Sequence, residues 1–281
     1  MNLTDHIKQS IRSNTVPLFV DIGFIVPIVA TSKMILTVYL LQLPYTVEPI
    51  VVISLLSLSI YLLDRLVITQ EDTNSTTKTR QTRILDQYQL VFWIIAICSL
   101  LTFLIITFST LSLVQFSLLN IPLVVFSVYY YLKQTLFLDT AGIAVAWASC
   151  LLCTAVFFTD TPPNHAAIVP TFFALGCMKA SETELGNIRD MSADAAEGNK
   201  TLPMVIGVEN TKVCIVIGET ISVLLFAYIS NSRLFLAVLV GYLLLIGGLL
   251  NSADQTVASQ TILKNRLTKI VFGVVILLAF L

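Results

Sequence analysis

Nine long apolar runs decide the fold class of this chain before any motif is considered. They cover residues 16–41, 49–68, 90–109, 113–132, 140–158, 167–184, 213–229, 234–250 and 267–281. A helix of about 20 apolar residues crosses the roughly 30 Å hydrocarbon core of a bilayer and satisfies its own backbone hydrogen bonds on the way. The last run is short for a crossing, so it should start earlier or tilt little. Charged residues make up 12% of the 281-residue chain and mean hydropathy is +0.88. A soluble domain carries about twice that share of charge. The sequence predicts an all-α polytopic membrane protein, nine transmembrane helices in one bundle, forming a single domain over residues 1–281. Its net charge of −1 lacks the basic excess of a nucleic-acid binder. Residues 1–14 are polar and carry no cleavable signal pattern.

The cysteines sit inside apolar runs: Cys98, Cys150, Cys153, Cys177 and Cys214. Cys150 and Cys153 form the one C-x-x-C pair. Without a second pair or a nearby histidine, it reads as small residues on a buried helix rather than a zinc or redox centre. His6 and His165 fall in water-facing segments, and neither is half of a catalytic pair.

Basic residues set the orientation. With a cytoplasmic N-terminus, that side holds Lys8, Arg12, Arg65, Lys78, Arg80, Arg83, Lys133, Arg189, Lys200, Lys212, Lys264, Arg266 and Lys269, while the opposite side holds Arg233. This is the positive-inside distribution, and it supports the count of nine spans. Two polar stretches, roughly 69–88 and 186–211, read as the longest internal loops and fall on the same cytoplasmic side. Chemistry confined to one membrane face points to an enzyme rather than a channel, whose polar groups must run through the full depth.

The second stretch is the more informative. Asn187, Asp190 and Asp194 are spaced i, i+3, i+7, which on a helix places three oxygen-bearing side chains on one face. In the first stretch Asp64 and Arg65 end an apolar run and are followed by Glu71 and Asp72. Carboxylates cannot bind a diphosphate directly, but Mg²⁺ bridges the two, taking a few carboxylates, waters and phosphate oxygens. Arg65, Lys133, Arg189 and Lys200 would hold the remaining phosphate charge. A metal-neutralised diphosphate is a good leaving group. If it leaves an allylic isoprenoid, the resulting cation is stabilised by aromatic faces, and Tyr129, Tyr130 and Tyr131 precede Lys133 on that side.

These residues carry a resemblance. The run Asn187-Ile-Arg-Asp190-Met-Ser-Ala-Asp194, then Gly198-Asn-Lys200-Thr-Leu-Pro203 and Gly207, closely resembles the second aspartate-rich motif of the UbiA superfamily of intramembrane prenyltransferases. The stretch Asp64-Arg-Leu-Val-Ile68-Thr-Gln-Glu71-Asp72-Thr-Asn74 resembles a variant of the first. The tyrosine run, Lys133 and Asp139 resemble the stretch between that family's fourth and fifth helices. The resemblance implies nine transmembrane helices, motifs on cytoplasmic loops after helices two and six, and Mg²⁺-dependent transfer of an isoprenyl group from its diphosphate to a lipophilic acceptor. It implies Asp64, Asp72, Asn187, Asp190 and Asp194 as catalytic and metal-binding, with Arg65, Tyr130, Lys133, Arg189 and Lys200 as substrate-binding. Glu71 joins the metal ligands not from the resemblance but as a geometric substitute for the carboxylate missing at Ile68.

There are departures. Ile68 stands where the family pattern has an aspartate, Asn74 comes a residue early, and Ala195 replaces a common basic residue. These keep a non-catalytic or transport protein on the same scaffold as the alternative. Plainer readings compete for single residues. Asp64 forms a helix-end salt bridge with Arg65 in one. Glu182 and Glu184 form an interfacial collar with Lys179 in another. The tyrosines make an interfacial belt, and Lys264, Arg266 and Lys269 are membrane-surface anchors. Asp21 and Lys33 lie deep enough in the first run to need partners that the sequence does not name.

Overall fold

In a computed structural model of the chain, the described residues are 25–71, 87–133, 135, 138–230, 233–251, 264–271 and 273–275. Every regular element among them is helical. They are α1 (Ile25–Leu40), α2 (Glu48–Glu71), α3 (Gln89–Thr110), α4 (Leu113–Leu119), α5 (Ile121–Lys133), α6 (Leu138–Phe157), α7 (His165–Glu197), α8 (Leu202–Ile206), α9 (Val208–Ser230) and α10 (Arg233–Asn251). Residues 264–271 and 273–275 are also helical. Among the described residues, four helical stretches are long and apolar enough to cross a membrane: Glu48–Leu66, α3, α6 and α9. Shorter apolar helices occur at Ile25–Leu40 and Leu239–Gly248.

The helices fall in two compact units, one within Met1–Ala30 and Val51–Thr110, the other within Thr31–Ile50 and Leu111–Leu281. In the first, Leu62 and Leu66 of α2 pack with Phe92 and Ala96 of α3. On α3 the buried residues are Phe92, Ala96, Ser99, Phe103 and Thr107, one helical stripe. The opposite face, including Leu90, Ile94, Ile97, Leu101, Ile105 and Phe108, is exposed and largely apolar. An exposed apolar face of that extent is unsuited to water and suited to lipid.

In the second unit α7 is central, packing against α6, α8 and α9. Two expectations need correction here. The run 113–132 is not one helix but two, α4 and α5, broken at Asn120. Pro122 lacks an N–H and its ring crowds the carbonyl four residues back, which favours a break at this point. Asn120 ends α4, its side-chain amide donating to the Phe116 carbonyl at 2.7 Å. The stretch 186–211 is not a loop either. It is the last turns of α7, then α8 and the first turn of α9.

Residues 273–275 pack on α1 so closely that a Cβ built on Gly273 would lie 2.6 Å from the Ser32 Cβ and 2.9 Å from its Cα. The obstacle includes backbone, so it does not swing aside. Gly273→Ala should destabilise the protein by about 1–3 kcal/mol, the cost of overpacking. Thermal unfolding in detergent checks this against Gly248→Ala, whose Cβ meets nothing within 4 Å and should leave the midpoint unchanged or raised.

Candidate functional site

The 33 residues of α7 make a helix of about 50 Å, longer than a bilayer core. Its polar end therefore continues beyond the apolar stretch without losing helical register. Asn164 caps its start, accepting from the Ala166 N–H at 3.2 Å. Its end is set by Gly198, which adopts the left-handed conformation at φ 77°, favourable only without a Cβ. The Asn199 N–H then returns to the Asp194 carbonyl at 2.9 Å. Because α7 is unbroken to Glu197, Asn187, Asp190 and Asp194 keep the i, i+3, i+7 spacing on one face.

The three side chains have different surroundings. Asp190 is 42% exposed and pairs with Arg189, whose Nε donates to Oδ1 at 2.6 Å and whose Nη2 pairs with Oδ2. An exposed pair of this kind is worth about 0–1 kcal/mol, so an incoming cation displaces it at little cost. Asp194 is buried, and its Oδ1 accepts from the Asn199 side-chain amide at 3.1 Å. Asn187 is buried too, donating through Nδ2 to Glu184 Oε2 at 3.3 Å. Glu184 Oε1 in turn accepts from the Thr140 hydroxyl of α6 at 2.6 Å. Asp139, also buried, precedes Thr140 in the first turn of α6.

The other predicted residues are placed as follows. Asp64 and Arg65 lie on α2 in the first unit, each about one-quarter exposed, with Arg65 Nε 3.8 Å from Asp64 Oδ2. The Arg65 guanidinium also stands over the Tyr61 ring at 5.5 Å. The plainer reading of Asp64, a helix-end ion pair, is therefore present. Asp72 lies outside the described residues. Glu71 ends α2 and Tyr130 and Lys133 lie on α5, but their side chains are outside the described set, as is that of Ile68. Lys200 follows α7 and is exposed.

Among the described residues, no three His, Cys, Asp or Glu side chains are grouped to hold a metal ion. What α7 offers is two carboxylates and an amide oxygen on one face. That donor set is all oxygen, which fits a hard cation such as Mg²⁺ rather than a thiolate- or imidazole-seeking metal. Sequence reasoning missed Asn199 as the clamp on Asp194 and Thr140 as the partner of Glu184. Asn199 was legible as part of the Gly-Asn-Lys-Thr-Leu-Pro run. Thr140 carried no signal, since its partner is 44 residues away.

The collar reading is half right. Lys179 does pair with Glu182 at 3.8 Å, but Glu184 turns to Thr140 and Asn187 instead. Glu182 is held more tightly by Lys33 at 2.7 Å and Lys269 at 2.6 Å. Lys33 thus has its partner. Lys269 is no surface anchor: it is buried between Glu182 and Glu219, the latter at 3.3 Å. The five cysteines are free thiols, with Cys150 buried on α6.

The family model of the UbiA prenyltransferase family matches residues 50–272. Several solved structures are similar to this chain, among them the following three. One is a UbiA homolog from Aeropyrum pernix K1 in its apo form, at 14% identity and TM-score 0.69, with 91% of this chain and 98% of that one covered. The second is a UbiA homolog from Archaeoglobus fulgidus bound to GPP and Mg²⁺, at 16% identity and TM-score 0.57, covering 91% and 99%. The third belongs to work on digeranylgeranylglyceryl phosphate synthase in membranes, at 13% identity and TM-score 0.52, covering 90% and 99%. At these identities the likeness is one of fold. No curated protein matches the chain.

Proposed function

The chain belongs to the UbiA prenyltransferase family, and from that premise we propose that it moves an isoprenyl group from an isoprenyl diphosphate to a lipophilic acceptor in a cell membrane, with Mg²⁺ as cofactor. The observation that carries this reading is the Asn187, Asp190 and Asp194 stripe at the polar end of α7. The Archaeoglobus structures with GPP and with DMAPP, each with Mg²⁺, support it as relatives of the same fold. The proposed architecture is nine membrane helices acting as one domain, with the N-terminus in the cytoplasm.

In this reading Asp64, Glu71, Asp72, Asn187, Asp190 and Asp194 are the residues that would hold the metal. Mg²⁺, when bound, neutralises the diphosphate and makes it a better leaving group. Arg65, Lys133, Arg189 and Lys200 hold the remaining phosphate oxygens, with the arginines suited to two-pronged contacts. The role proposed for Tyr130 is to stabilise, as an aromatic residue, the positive charge that develops on the allylic carbon. The acceptor enters from the lipid. Its identity is written in apolar lining residues that carry no chemical signature.

The test is diphosphate release by the purified protein in nanodiscs with a lipid extract as acceptor source, across a panel of isoprenyl diphosphates with and without Mg²⁺. Metal-dependent release supports the reading. No release from any donor by folded protein sinks it in favour of a non-catalytic scaffold. Ile68 refines the test, because Mg²⁺ readily keeps a water in place of a lost protein ligand. Ile68→Asp should lower the Mg²⁺ concentration for half-maximal activity, and Glu71→Gln should raise it. If Ile68→Asp has no effect or inactivates, the first stretch does not coordinate the diphosphate's metal.

A further inference from the structure

We propose that Glu184 is a positioning residue that decides which atom Asn187 presents to the metal, and that it makes asparagine, rather than aspartate, the required residue at 187. The proposal rests on the metal-site reading above and deepens it.

The argument starts from what a carboxylate can do. Glu184 is buried at 5% exposure and lies one turn before Asn187 on α7. Its Oε1 accepts from the Thr140 hydroxyl at 2.6 Å, and its Oε2 faces the Asn187 amide at 3.3 Å. In both contacts its oxygens are the acceptors. The group it meets on Asn187 must therefore be the NH₂, which fixes the amide flip chemically. The carbonyl Oδ1 is then turned away from Glu184. An amide oxygen is a good Mg²⁺ ligand and an amide nitrogen is not. Thr140 completes the arrangement, since its hydroxyl on the neighbouring helix holds the carboxylate from the other side. Thr140, Glu184 and Asn187 form a short chain that orients a ligand without touching the metal, as outer-shell partners do elsewhere.

The same geometry explains the residue type. An aspartate at 187 has no N–H to give Glu184 Oε2, so the 3.3 Å contact would bring two acceptor oxygens together and leave the buried Glu184 oxygen without this donor. The motif that this stretch resembles admits either residue at its first position. In this chain Glu184 removes that freedom.

The experiment pairs Glu184→Gln with Asn187→Asp and reads Mn²⁺ binding by EPR with inorganic pyrophosphate as the anion, alongside Mg²⁺-dependent transfer and thermal unfolding. Glu184→Gln should weaken Mn²⁺ about 10–100-fold, the usual cost of losing an orienting partner, because glutamine no longer dictates the flip. The kcat at saturating Mg²⁺ should be largely kept, while Glu184→Asp retains part of the affinity. Asn187→Asp alone should lose both metal binding and thermal stability. The double variant should recover both, the glutamine amide now donating to the new carboxylate. Tight Mn²⁺ binding by Asn187→Asp alone, or unchanged binding by Glu184→Gln, overturns the proposal and leaves the metal site standing. Wild-type protein that binds no Mn²⁺ with pyrophosphate overturns the metal reading and this proposal with it. In that case the unfolding data still report whether Glu184 and Asn187 are coupled.

Discussion

Asp190→Asn and Asp194→Asn should each lower Mg²⁺-dependent prenyl transfer at least about 100-fold. A carboxylate that holds a catalytic cation supports several kcal/mol of charge stabilisation at the leaving group, and each 1.36 kcal/mol is tenfold in rate. The surroundings predict that the two losses differ in kind. Asp190 is half-exposed and its present partner is the adjacent Arg189. The substituted amide can rotate its oxygen toward a cation, so high Mg²⁺ should relieve part of the loss. Asp194 is buried and its Oδ1 already takes the Asn199 amide at 3.1 Å. In Asp194→Asn the oxygen must stay on Asn199 to accept that bond, which turns the NH₂ toward the metal. High Mg²⁺ should do little for this variant. Initial rates across a Mg²⁺ series separate the two, and near-wild-type turnover in both variants would remove these residues from the metal site.

How much of this was legible in the sequence depends on distance along the chain. The stripe on α7 could be read because its three residues share one helix, and helical periodicity turns spacing into geometry. The helix end was legible too, since Gly198 at the left-handed position is a local signal. The helical class followed from apolar runs that leave the backbone no alternative in lipid. The break at Asn120 was missed because hydropathy runs straight through Pro122, and Pro near the start of a helix is otherwise unremarkable. The stretch 186–211 reads as loop by its polarity while Asn187, Asp190 and Asp194 read as helix by their spacing, and the structure sides with the spacing as far as Glu197. The Glu184 bridge to Thr140 could not be read at all: it joins residues of two helices, and nothing local fixes which face of α6 meets α7. Lys33, Glu182 and Lys269 show the same limit. Each was recognisable as a buried or interfacial charge, but the pairing spans 149 and 87 residues.

That pairing gives the largest expected effect on stability. Lys269→Met should destabilise the protein by about 3–5 kcal/mol, the cost of removing one partner from a buried ionic group. The Lys269 ammonium is 3% exposed and joins Glu182 at 2.6 Å to Glu219 at 3.3 Å. Glu219 is 1% exposed, and its other oxygen accepts from the Tyr242 hydroxyl at 3.4 Å. Glu182 keeps Lys33 at 2.7 Å and Lys179 at 3.8 Å, so its charge remains partly met. Glu219 loses its nearest cation in an apolar bundle. A further substitution of Glu219→Gln in the Lys269→Met background should therefore recover part of the loss, since it removes the charge that was stranded. Glu182→Gln should instead remove the carboxylate that Lys33, Lys179 and Lys269 share, and it should be at least as damaging as Lys269→Met. Lys264→Met, on the same segment but exposed, should stay within about 0.5 kcal/mol of wild type. Thermal unfolding in one detergent decides the matter. If Lys269→Met melts with wild type while Gly273→Ala does not, the network contributes nothing to holding α7, α9 and the 264–271 segment together, and its charges must be kept for some other reason.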